Sequence, residues 1–270
     1  MLRKILKTRT TKLVMANRLY SDLSEVCHTF YRMYFPHEDI AEIIDAKLRK
    51  YGCREIVFFG GLLNAAKILN EKGYRITFVE YTEEMMNEAK RTIDCADFIV
   101  SDMRRLKLDE KKDAIVLMGR IMTYMHTDKD VIRALKAFSN NLKAGGIVVM
   151  DNYETGIIDK GEYFNGTIEL KDGDHTLRRI SKIIREKEHP ALYRWDCVYE
   201  DIDREKRKTF TDNGHILRAF TKDEIRALIE KAAAGMSFIE HSENFEKRSF
   251  VTVAQKRDIN LDGSKKNRGL

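Results

Sequence analysis

Short apolar runs alternate with amphipathic stretches between residues 53 and 151. The runs have the length and the β-branched content of buried strands. They cover residues 54–59, 75–80, 97–100, 113–118 and 147–150. Between them lie segments of helical periodicity, such as 128–142, where Val131, Leu135, Phe138 and Leu142 form one apolar stripe. Strands that alternate with helices predict right-handed βαβ units and a parallel sheet with helices on both faces.

The pattern changes after Asp151. Four segments with strand-like composition follow, at residues 166–170, 176–184, 193–202 and 208–220. Asp172-Gly173 stands between the first two, and Asp-Gly between two such runs predicts a β-hairpin. Thr221 is positioned to cap a helix that continues to Ala232, and residues 238–241 and 249–255 supply closing strands. These segments predict an α/β fold with an antiparallel β-rich excursion.

These patterns predict three parts of the chain. Residues 1–52 form an N-terminal helical lead with a basic extension, and residues 53–255 form the α/β domain, which includes the excursion at 160–220. Residues 256–270 are expected to be a basic, flexible tail.

Charge is distributed unevenly along the chain. The formal net charge is +6, from 49 Lys and Arg against 43 Asp and Glu. Residues 1–18 carry +6, residues 256–270 carry +3, and the body between them carries −3. A nucleic-acid-binding fold would place its basic residues on the folded body. The excess positive charge therefore belongs to the two ends of the chain and not to the folded body, which argues against a nucleic-acid substrate.

The cysteines and the hydropathy pattern exclude other classes. Cys27, Cys53, Cys95 and Cys197 lie far apart without a CxxC pair, which argues against a zinc site or a disulfide scaffold. We therefore expect that the protein binds no metal. We also expect its cysteines to be free thiols in a reducing cytoplasm. No run approaches the roughly 18 apolar residues of a transmembrane helix, so no membrane association is expected.

Four motifs occur in a fixed order along the predicted strands. Gly60-Gly61 follows strand one, Glu80 ends strand two, and Asp102 follows strand three; residues 142–146 (LKAGG) precede strand five. This order resembles that of class I S-adenosylmethionine-dependent methyltransferases. Tyrosine-containing segments at 19–23 and 30–34 and the segment 215–221 narrow the resemblance to the small-molecule branch that includes sugar N,N-dimethyltransferases. The resemblance implies a Rossmann-like seven-stranded sheet with helices on both faces and an antiparallel excursion after strand five.

The resemblance also implies a cofactor site for S-adenosylmethionine, with S-adenosylhomocysteine as the product. Gly60 and Gly61 would let the backbone approach the ligand, and the next helix N-terminus would bind its carboxylate. Glu80 would accept hydrogen bonds from the ribose, and Asp102 and Met103 would hold the adenine. The other residues assigned to this site are Tyr20, Asn64, Tyr81 and Met118. Three alternatives stay open: Glu80 in a surface ion pair, Asp102 as a helix cap, and Tyr20 as a residue of the packed core.

The glycine motif departs from the family pattern, acid-x-Gly-x-Gly-x-Gly. Phe58 replaces the acid, Leu62 the second glycine and Asn64 the third. Phe58 removes an acceptor for the cofactor ammonium group, and a desolvated ammonium without a partner is costly. Two outcomes follow: the loop binds the cofactor in a shifted geometry that uses Asn64, or the protein has lost this cofactor and is a non-catalytic binding or regulatory protein.

The segment after strand four, residues 118–127, is where the family keeps residues that face the methyl acceptor. His126 is the candidate general base, Tyr124 would pack beside the sulfonium, and Arg120 would bind an acidic group of the acceptor. Asn152, Tyr153, His215 and Arg218 would complete the acceptor pocket. The alternatives are a cap-associated surface role for His126, a solvated Arg120, and a structural role for His215 and Arg218 between excursion and sheet.

The leading hypothesis is an enzyme that transfers a methyl group to a nitrogen of a small molecule. An oxygen is the less favoured acceptor atom. A homodimer is one candidate assembly. Strand four lacks the Asn/Asp-Pro-Pro-Tyr/Phe sequence of base-amine methyltransferases, which argues against nucleic-acid bases as acceptors. Methylation of a macromolecule through the basic ends remains an alternative, because flexible basic segments raise non-specific affinity for nucleic acids.

Overall fold

The computed structural model describes residues 18–94, 97–204, 206–232 and 235–258. They divide into two compact units, one within residues 1–34 and 159–217 and the other within 35–158 and 218–270. The predicted basic extension up to residue 17, Cys95 and the tail from residue 259 lie outside the described residues. The three-part division of the chain stays a prediction.

Six helices and eleven strands are described, here in chain order. The helices are α1 (Ser24–Tyr34), α2 (His37–Lys50), α3 (Leu63–Glu71), α4 (Glu83–Thr92), α5 (Asp128–Asn141) and α6 (Lys222–Lys231). The strands are β1 (Glu55–Phe59), β2 (Arg75–Glu80), β3 (Asp97–Val100), β4 (Lys112–Leu117), β5 (Leu142–Tyr153), β6 (Gly166–Asp172), β7 (His175–Arg185), β8 (Leu192–Asp203), β9 (Lys206–Arg218), β10 (Met236–Glu243) and β11 (Ser249–Lys256). Short 3₁₀ turns occur at Arg18–Tyr20, Met103–Arg105 and Ile121–Tyr124.

The larger unit is a seven-stranded sheet in the order β10-β11-β5-β4-β1-β2-β3. The strands from β5 to β3 are parallel, whereas β11 is antiparallel to β5 and β10 to β11. The chain moves outward from β1 in both directions, and right-handed crossovers then place helices on opposite faces. The predicted α/β fold class is confirmed, and the carboxyl ends of the five parallel strands share one edge.

Local signals in the sequence explain most helix boundaries. Thr82, Thr127 and Thr221 each accept a backbone N–H at the start of α4, α5 and α6, and Thr221 forms a full capping box with Glu224. These three caps satisfy amide groups that the first helical turn leaves without partners. The periodicity of apolar positions then fixes which side of each helix packs on the sheet.

One boundary differs from expectation. Strand β5 begins at Leu142, so Gly145 and Gly146 lie within the strand instead of preceding it. A Cβ at Gly146 would stand 2.9 Å from the Asp113 carbonyl oxygen on the neighbouring strand. The second glycine therefore serves the close approach of β5 to β4, in addition to ending the helical pattern.

The smaller unit contains α1 and an antiparallel sheet in the order β6-β7-β8-β9. The predicted Asp-Gly hairpin is present: β6 and β7 pair from Gly166↔Ser181 to Asp172↔His175, and Gly173 has φ +59° in the turn. Alternate residues of β7 are buried, including Leu177, Arg179 and Ile183, and they define the inner face of this sheet. On β8 the buried residues of that pattern include Trp195 and Tyr199.

Within the described ranges, no helix has the length and the apolar composition that crossing a membrane requires.

Candidate active site

The carboxyl edge of the parallel strands in the larger unit collects most of the predicted site residues. In doubly wound sheets, ligands bind outside this edge, where crossovers on either side of one strand run in opposite directions. Here that strand is β1, between β2 and β4. The residues at or just after the strand ends are Gly60, Gly61, Asn64, Glu80, Tyr81, Asp102, Met103, Met118, Asn152 and Tyr153.

Gly60 begins the loop between β1 and α3. Its φ is +86°, and a Cβ built on it would lie 2.1 Å from Cδ1 of Ile121 in the 3₁₀ turn after β4. Both the backbone conformation and the close approach therefore require glycine at this position. Sequence reasoning missed Ile121, because its proximity to Gly60 depends on the pairing of β1 with β4.

The bulky residues in the glycine motif are directed into the protein. Leu62 and Leu63 are buried, and the Leu62 side chain lies 3.4 Å from where a Cβ of Gly119 would be. Phe58 is fully buried and stacks on Phe78 with ring centroids 5.8 Å apart. The core thus absorbs the side chains that replace the family's acid and second glycine, and Leu62 packs beside Gly119.

Helix α3 starts directly after this loop without a side-chain cap. Its N-cap residue, Leu62, has no side-chain acceptor for the amides of the first turn. Asn64 is half-buried in that turn. Uncapped amides at a helix N-terminus are suited to bind an anion, because they point along the positive end of the helix dipole.

Glu80, at the end of β2, is the most distinctive polar group at this edge. Its side chain is 7% exposed; Oε2 accepts the Tyr81 N–H at 3.3 Å, and Oε1 has no hydrogen-bond partner in the described protein. Burial raises the pKa of Glu80 to about 8. The open alternative of a surface ion pair does not hold for this buried side chain. A buried carboxyl with an unused oxygen fits the hydroxyl groups of a ribose. The neighbouring Tyr81 is 58% exposed.

Asp102 caps the 3₁₀ turn Met103–Arg105, as its alternative interpretation anticipated. It accepts the Arg104 backbone N–H at 2.9 Å and the Arg104 guanidinium at 2.6 Å, and Arg104 also reaches Asp130 on α5. Burial would raise the pKa of Asp102, but these hydrogen bonds from Arg104 outweigh it and hold the pKa below its usual value. Met103 and Met118 are buried. The adenine contacts of Asp102 and Met103 stay predictions.

Arg120 is buried at 1% exposure and fixes the segment after β4 to β5. Its φ is +59°, its backbone N–H donates to Asp151 at 2.6 Å, and its guanidinium pairs with Asp151 and with Glu246. The rings of Phe35, Tyr153 and Phe245 surround it at 4.5 to 5.4 Å. The solvated alternative is therefore wrong. The two carboxylates engage this side chain within the protein, and its predicted contact with the acceptor stays a prediction.

Arg218 holds the other end of the same segment. Its guanidinium donates to Asp128 at 2.6 Å and to Glu224 at 2.5 Å, and its carbonyl oxygen accepts the Thr123 hydroxyl at 2.8 Å. The sequence contains no direct signal for the acidic partners of these two arginines. Asp151 and Glu246, the partners of Arg120, are distant from it along the chain. Glu224, a partner of Arg218, belongs to an ordinary helix cap.

The two predicted chemical residues of this segment have different surroundings. Tyr124 is half-buried and packs on the hydrophobic core of the larger unit. His126 is exposed and directly precedes Thr127, the cap of α5. Their roles beside the sulfonium and as general base stay predictions.

Asn152, near the carboxyl end of β5, is 1% exposed, and neither its Nδ2 nor its Oδ1 has a hydrogen-bond partner. Leaving a buried amide without partners costs roughly 1–3 kcal/mol for each group. A polar ligand group at this edge would offset that cost. Tyr153, the next residue, is buried against Arg120.

Two predicted site residues belong to the smaller unit. The Tyr20 hydroxyl lies 3.0 Å from the Tyr31 hydroxyl, and the Tyr20 ring centroid is 6.3 Å from that of His215. His215 Nε2 lies 2.8 Å from Asp212 Oδ2, and both side chains are buried. Within the described residues, no group of three or more His, Cys, Asp or Glu side chains is arranged to hold a metal ion.

Comparison with known proteins adds a family to this geometry. The family described as "Methyltransferase domain" matches residues 60–146, which run from the glycine loop into β5. A dTDP-3-amino-3,4,6-trideoxy-alpha-D-glucopyranose N,N-dimethyltransferase of Streptomyces venezuelae is 24% identical over 162 residues, or 60% of this chain and 67% of that relative. The chain thus carries a methyltransferase domain over residues 60–146 and is similar to a sugar N,N-dimethyltransferase.

Solved structures show the same fold across nearly the whole methyltransferase. Streptomyces venezuelae DesVI superposes with a TM-score of 0.74 at 20% identity, covering 86% of this chain and 97% of DesVI. CalS10 from Micromonospora echinaspora, an amino pentose methyltransferase solved with S-adenosylmethionine bound, gives 0.72 at 19% identity, covering 86% and 96%. The predicted family, enzyme class and cofactor are confirmed.

Proposed function

We propose that this methyltransferase transfers a methyl group from S-adenosylmethionine to a nitrogen of a small molecule. The observation that carries the proposal is the buried Glu80, whose Oε1 has no partner at the carboxyl end of β2 in a class I fold. The N,N-dimethyltransferase of Streptomyces venezuelae and the amino pentose methyltransferase CalS10 support an amine as the acceptor. An amino sugar is the specific acceptor class that these two proteins suggest.

The residues at the carboxyl edge divide the binding task. Glu80 would hold the ribose hydroxyls, and the uncapped first turn of α3, together with Asn64, would hold the carboxylate. The cofactor supplies an electrophilic methyl group, so positioning accounts for much of the rate acceleration and no metal is needed. The ion pairs of Arg120 and Arg218 keep the segment after β4 in a fixed position for this purpose.

Two side chains of that segment would serve the acceptor. A protonated amine has no lone pair to attack with, so His126 would accept the proton that the amine must lose. The half-buried ring of Tyr124 would attract the cationic sulfonium. Asn152 would hydrogen-bond the acceptor or the cofactor with its buried amide. A cytoplasmic location, suggested by the buried free thiols of Cys27, Cys53 and Cys197, and a homodimer are further parts of the proposal.

Calorimetric titration with S-adenosylmethionine and S-adenosylhomocysteine tests the cofactor site. We expect saturable binding by the wild-type protein, a roughly twofold to tenfold loss in Glu80→Gln, and a larger loss in Glu80→Ala. The raised pKa leaves the Glu80 carboxyl mostly neutral near pH 7, and a hydrogen bond between neutral groups contributes about 0.5–1.5 kcal/mol. Glu71→Gln, an exposed position in α3, is the matched control and should bind as the wild type does.

Three results would each count against part of the proposal. No binding by the wild type at millimolar ligand would favour the non-catalytic alternative. Unchanged affinity in Glu80→Gln would mean that the ribose contact is misplaced. Cofactor binding without turnover on a panel of amino sugars, but with turnover on protein or nucleic acid, would favour a macromolecular acceptor.

A further inference from the structure

A buried arginine on the inner face of the smaller sheet has no role in the proposed methyl transfer. Arg179 lies on β7 between Leu177 and Ser181 and is 1% exposed. An arginine at an inward-facing position of a strand breaks the usual alternation of apolar and polar residues, since arginine is almost never fully buried unless it is paired. Its partners therefore decide what it does.

Arg179 is surrounded by aromatic rings instead of carboxylates. Its guanidinium carbon lies 4.3 to 4.9 Å from the ring centroids of Tyr163, Phe30 and Trp195. One nitrogen, Nη2, donates to the Tyr163 carbonyl oxygen, whereas Nε and Nη1 have no hydrogen-bond partner. Across the described ranges of the chain, no Asp or Glu forms an ion pair with this side chain.

The buried arginines of the larger unit show what is missing. Arg120 pairs with Asp151 and Glu246, and Arg218 pairs with Asp128 and Glu224. A guanidinium stays protonated in proteins, so Arg179 cannot avoid the cost of burial by losing its charge. Cation–π contacts with three rings recover only part of that cost. The remaining donors call for an anion that the chain does not provide.

Trp195 supplies a second donor of the same kind. Its Nε1 is buried and has no hydrogen-bond partner, and its ring packs on the Arg179 guanidinium. His215 lies on the other side of Trp195, with ring centroids 6.0 Å apart, and pairs with Asp212. Asp212, the carboxylate in this series of side chains, has Oδ2 beside His215 and Oδ1 without a hydrogen-bond partner, and it forms no ion pair with Arg179. The N–H donors of Arg179 and Trp195 therefore have no acceptor in the described residues.

We propose that the inner face of the smaller sheet binds an anionic group, a carboxylate or a phosphate, through Arg179 Nε and Nη1 with Trp195 Nε1 beside them. Nε and Nη1 belong to different edges of the guanidinium, so each would donate a single hydrogen bond; a bidentate grip on two oxygens would also need Nη2 to leave the Tyr163 carbonyl. Anion binding at this face does not rest on the proposed function.

Ligand entry requires one covering ring to move. Phe30 lies within α1 and Trp195 within β8, and both are held by backbone hydrogen bonds of regular structure. Tyr163 lies between β5 and β6 and belongs to neither a helix nor a strand. Tyr163 is therefore the side chain that we expect to give way when an anion enters.

The sequence provides a built-in reporter, since Trp195 is the single tryptophan of the chain. The experiment is a titration of the full-length protein with inorganic pyrophosphate, and separately with succinate, monitored by tryptophan fluorescence at constant ionic strength. We expect a saturable change in emission with one of these probes. The stronger probe distinguishes a phosphate from a carboxylate preference, and sodium chloride serves as the non-specific control.

Two substitutions and a matched control decide whether Arg179 is responsible. Arg179→Met, which keeps an unbranched apolar stem and removes the guanidinium, should weaken anion binding by about tenfold or more, and Arg179→Lys should bind with intermediate affinity. Arg178→Met removes the adjacent arginine, which points to the opposite face and pairs with Glu169 and Glu200, and should bind as the wild type does.

The outcomes separate the two proposals. Saturable anion binding that is lost in Arg179→Met but kept in Arg178→Met supports the site, whatever the cofactor titration shows. The absence of a saturable response in the wild type would overturn the site. Equal affinity in Arg179→Lys and in the wild type would overturn it as well, and so would equal affinity in Arg178→Met and Arg179→Met. If Arg179→Met does not fold, the wild-type and Arg179→Lys titrations still decide. S-adenosylmethionine binding, measured in the same variants, reports on the proposed function independently.

Discussion

Glu80 is a single carboxyl group whose burial links the cofactor site to the stability of the fold. Burial raises its pKa from 4.5 to about 8, so the folded protein binds this proton more tightly than the unfolded chain does. The free energy of unfolding should therefore be highest below pH 4.5 with respect to this group, and it should fall as the pH rises to about 8. The slope is at most roughly 1.4 kcal/mol per pH unit.

This dependence is measurable by urea unfolding across the range from the ordinary carboxyl pKa to the raised pKa of Glu80. Glu80→Gln has a neutral side chain of similar shape, so it should lose this part of the decline, while the exposed Glu71→Gln should retain it. Parallel pH profiles for the wild type and Glu80→Gln would show that Glu80 is already ionised in the folded protein at the acidic end of the range.

A second requirement that one residue meets is the close approach between the loop after β1 and Ile121. Substitution of Gly60 tests it. Gly60→Ala combines a positive φ with a Cβ 2.1 Å from Ile121 Cδ1, whereas Gly73, with φ +91°, has nothing within 4 Å of its Cβ position. Gly73→Ala should therefore cost only the backbone strain, about 1–2 kcal/mol, and Gly60→Ala more. The double variant Gly60→Ala, Ile121→Ala should regain part of the difference in a double-mutant cycle. Equal unfolding free energies for the two single variants would contradict the close approach.

At the scale of elements, the strands and helices were predictable because each segment carries its own signal. Caps at Thr82, Thr127 and Thr221 and the turn at Gly173 follow from local sequence. What could not be predicted depends on pairing between distant segments. Leu62 packs beside Gly119 only because β4 lies beside β1, and nothing within the motif itself indicates that partner.

The same limit applies to the segment after β4, whose position depends on Arg120. Arg120→Met should leave the fully buried Asp151 without its cation, whereas Glu246 keeps its pair with Arg248. Removing one partner of a buried pair costs about 3–5 kcal/mol. Chemical denaturation should show that loss. Arg91→Met, which breaks the exposed pair with Glu88, should change stability by less than about 1 kcal/mol. A small effect at Arg120 would mean that the aromatic rings, not the carboxylates, hold this segment.

For the whole molecule, the order of motifs along the chain predicted the fold, because strand order in a doubly wound sheet follows from right-handed crossovers. The grouping of polar side chains inside the smaller unit was not predictable in this way. Arg179 and Trp195 become partners through the pairing of β7 with β8, in which Arg179 is opposite Tyr199 and Ile183 is opposite Trp195. The pattern offers one retrospective signal, an arginine at an inward position of a strand.

The distribution of charge over the whole chain gives a final prediction. Residues 1–12 carry five basic residues and no acidic one, so deleting them lowers the net charge from +6 to +1. If the basicity of the ends acts only through non-specific attraction, the deletion should weaken binding to random-sequence DNA. The slope of log affinity against log salt should then become shallower by up to about 0.9 for each phosphate that the shortened chain no longer neutralises. S-adenosylmethionine affinity should not change, because the proposed cofactor residues all lie outside the deleted segment.

Fluorescence anisotropy with labelled DNA at several salt concentrations measures the DNA affinity of the full-length and shortened chains, and calorimetry measures their affinity for the cofactor. The two measurements are independent, since the body that carries the cofactor residues has a net charge of −3 and the deletion leaves it intact. DNA affinity that persists after the deletion, and also after deletion of residues 259–270, would place a basic surface on that body despite its negative net charge. Such a surface would revive the macromolecular acceptor, because the basic ends could then no longer account for the attraction.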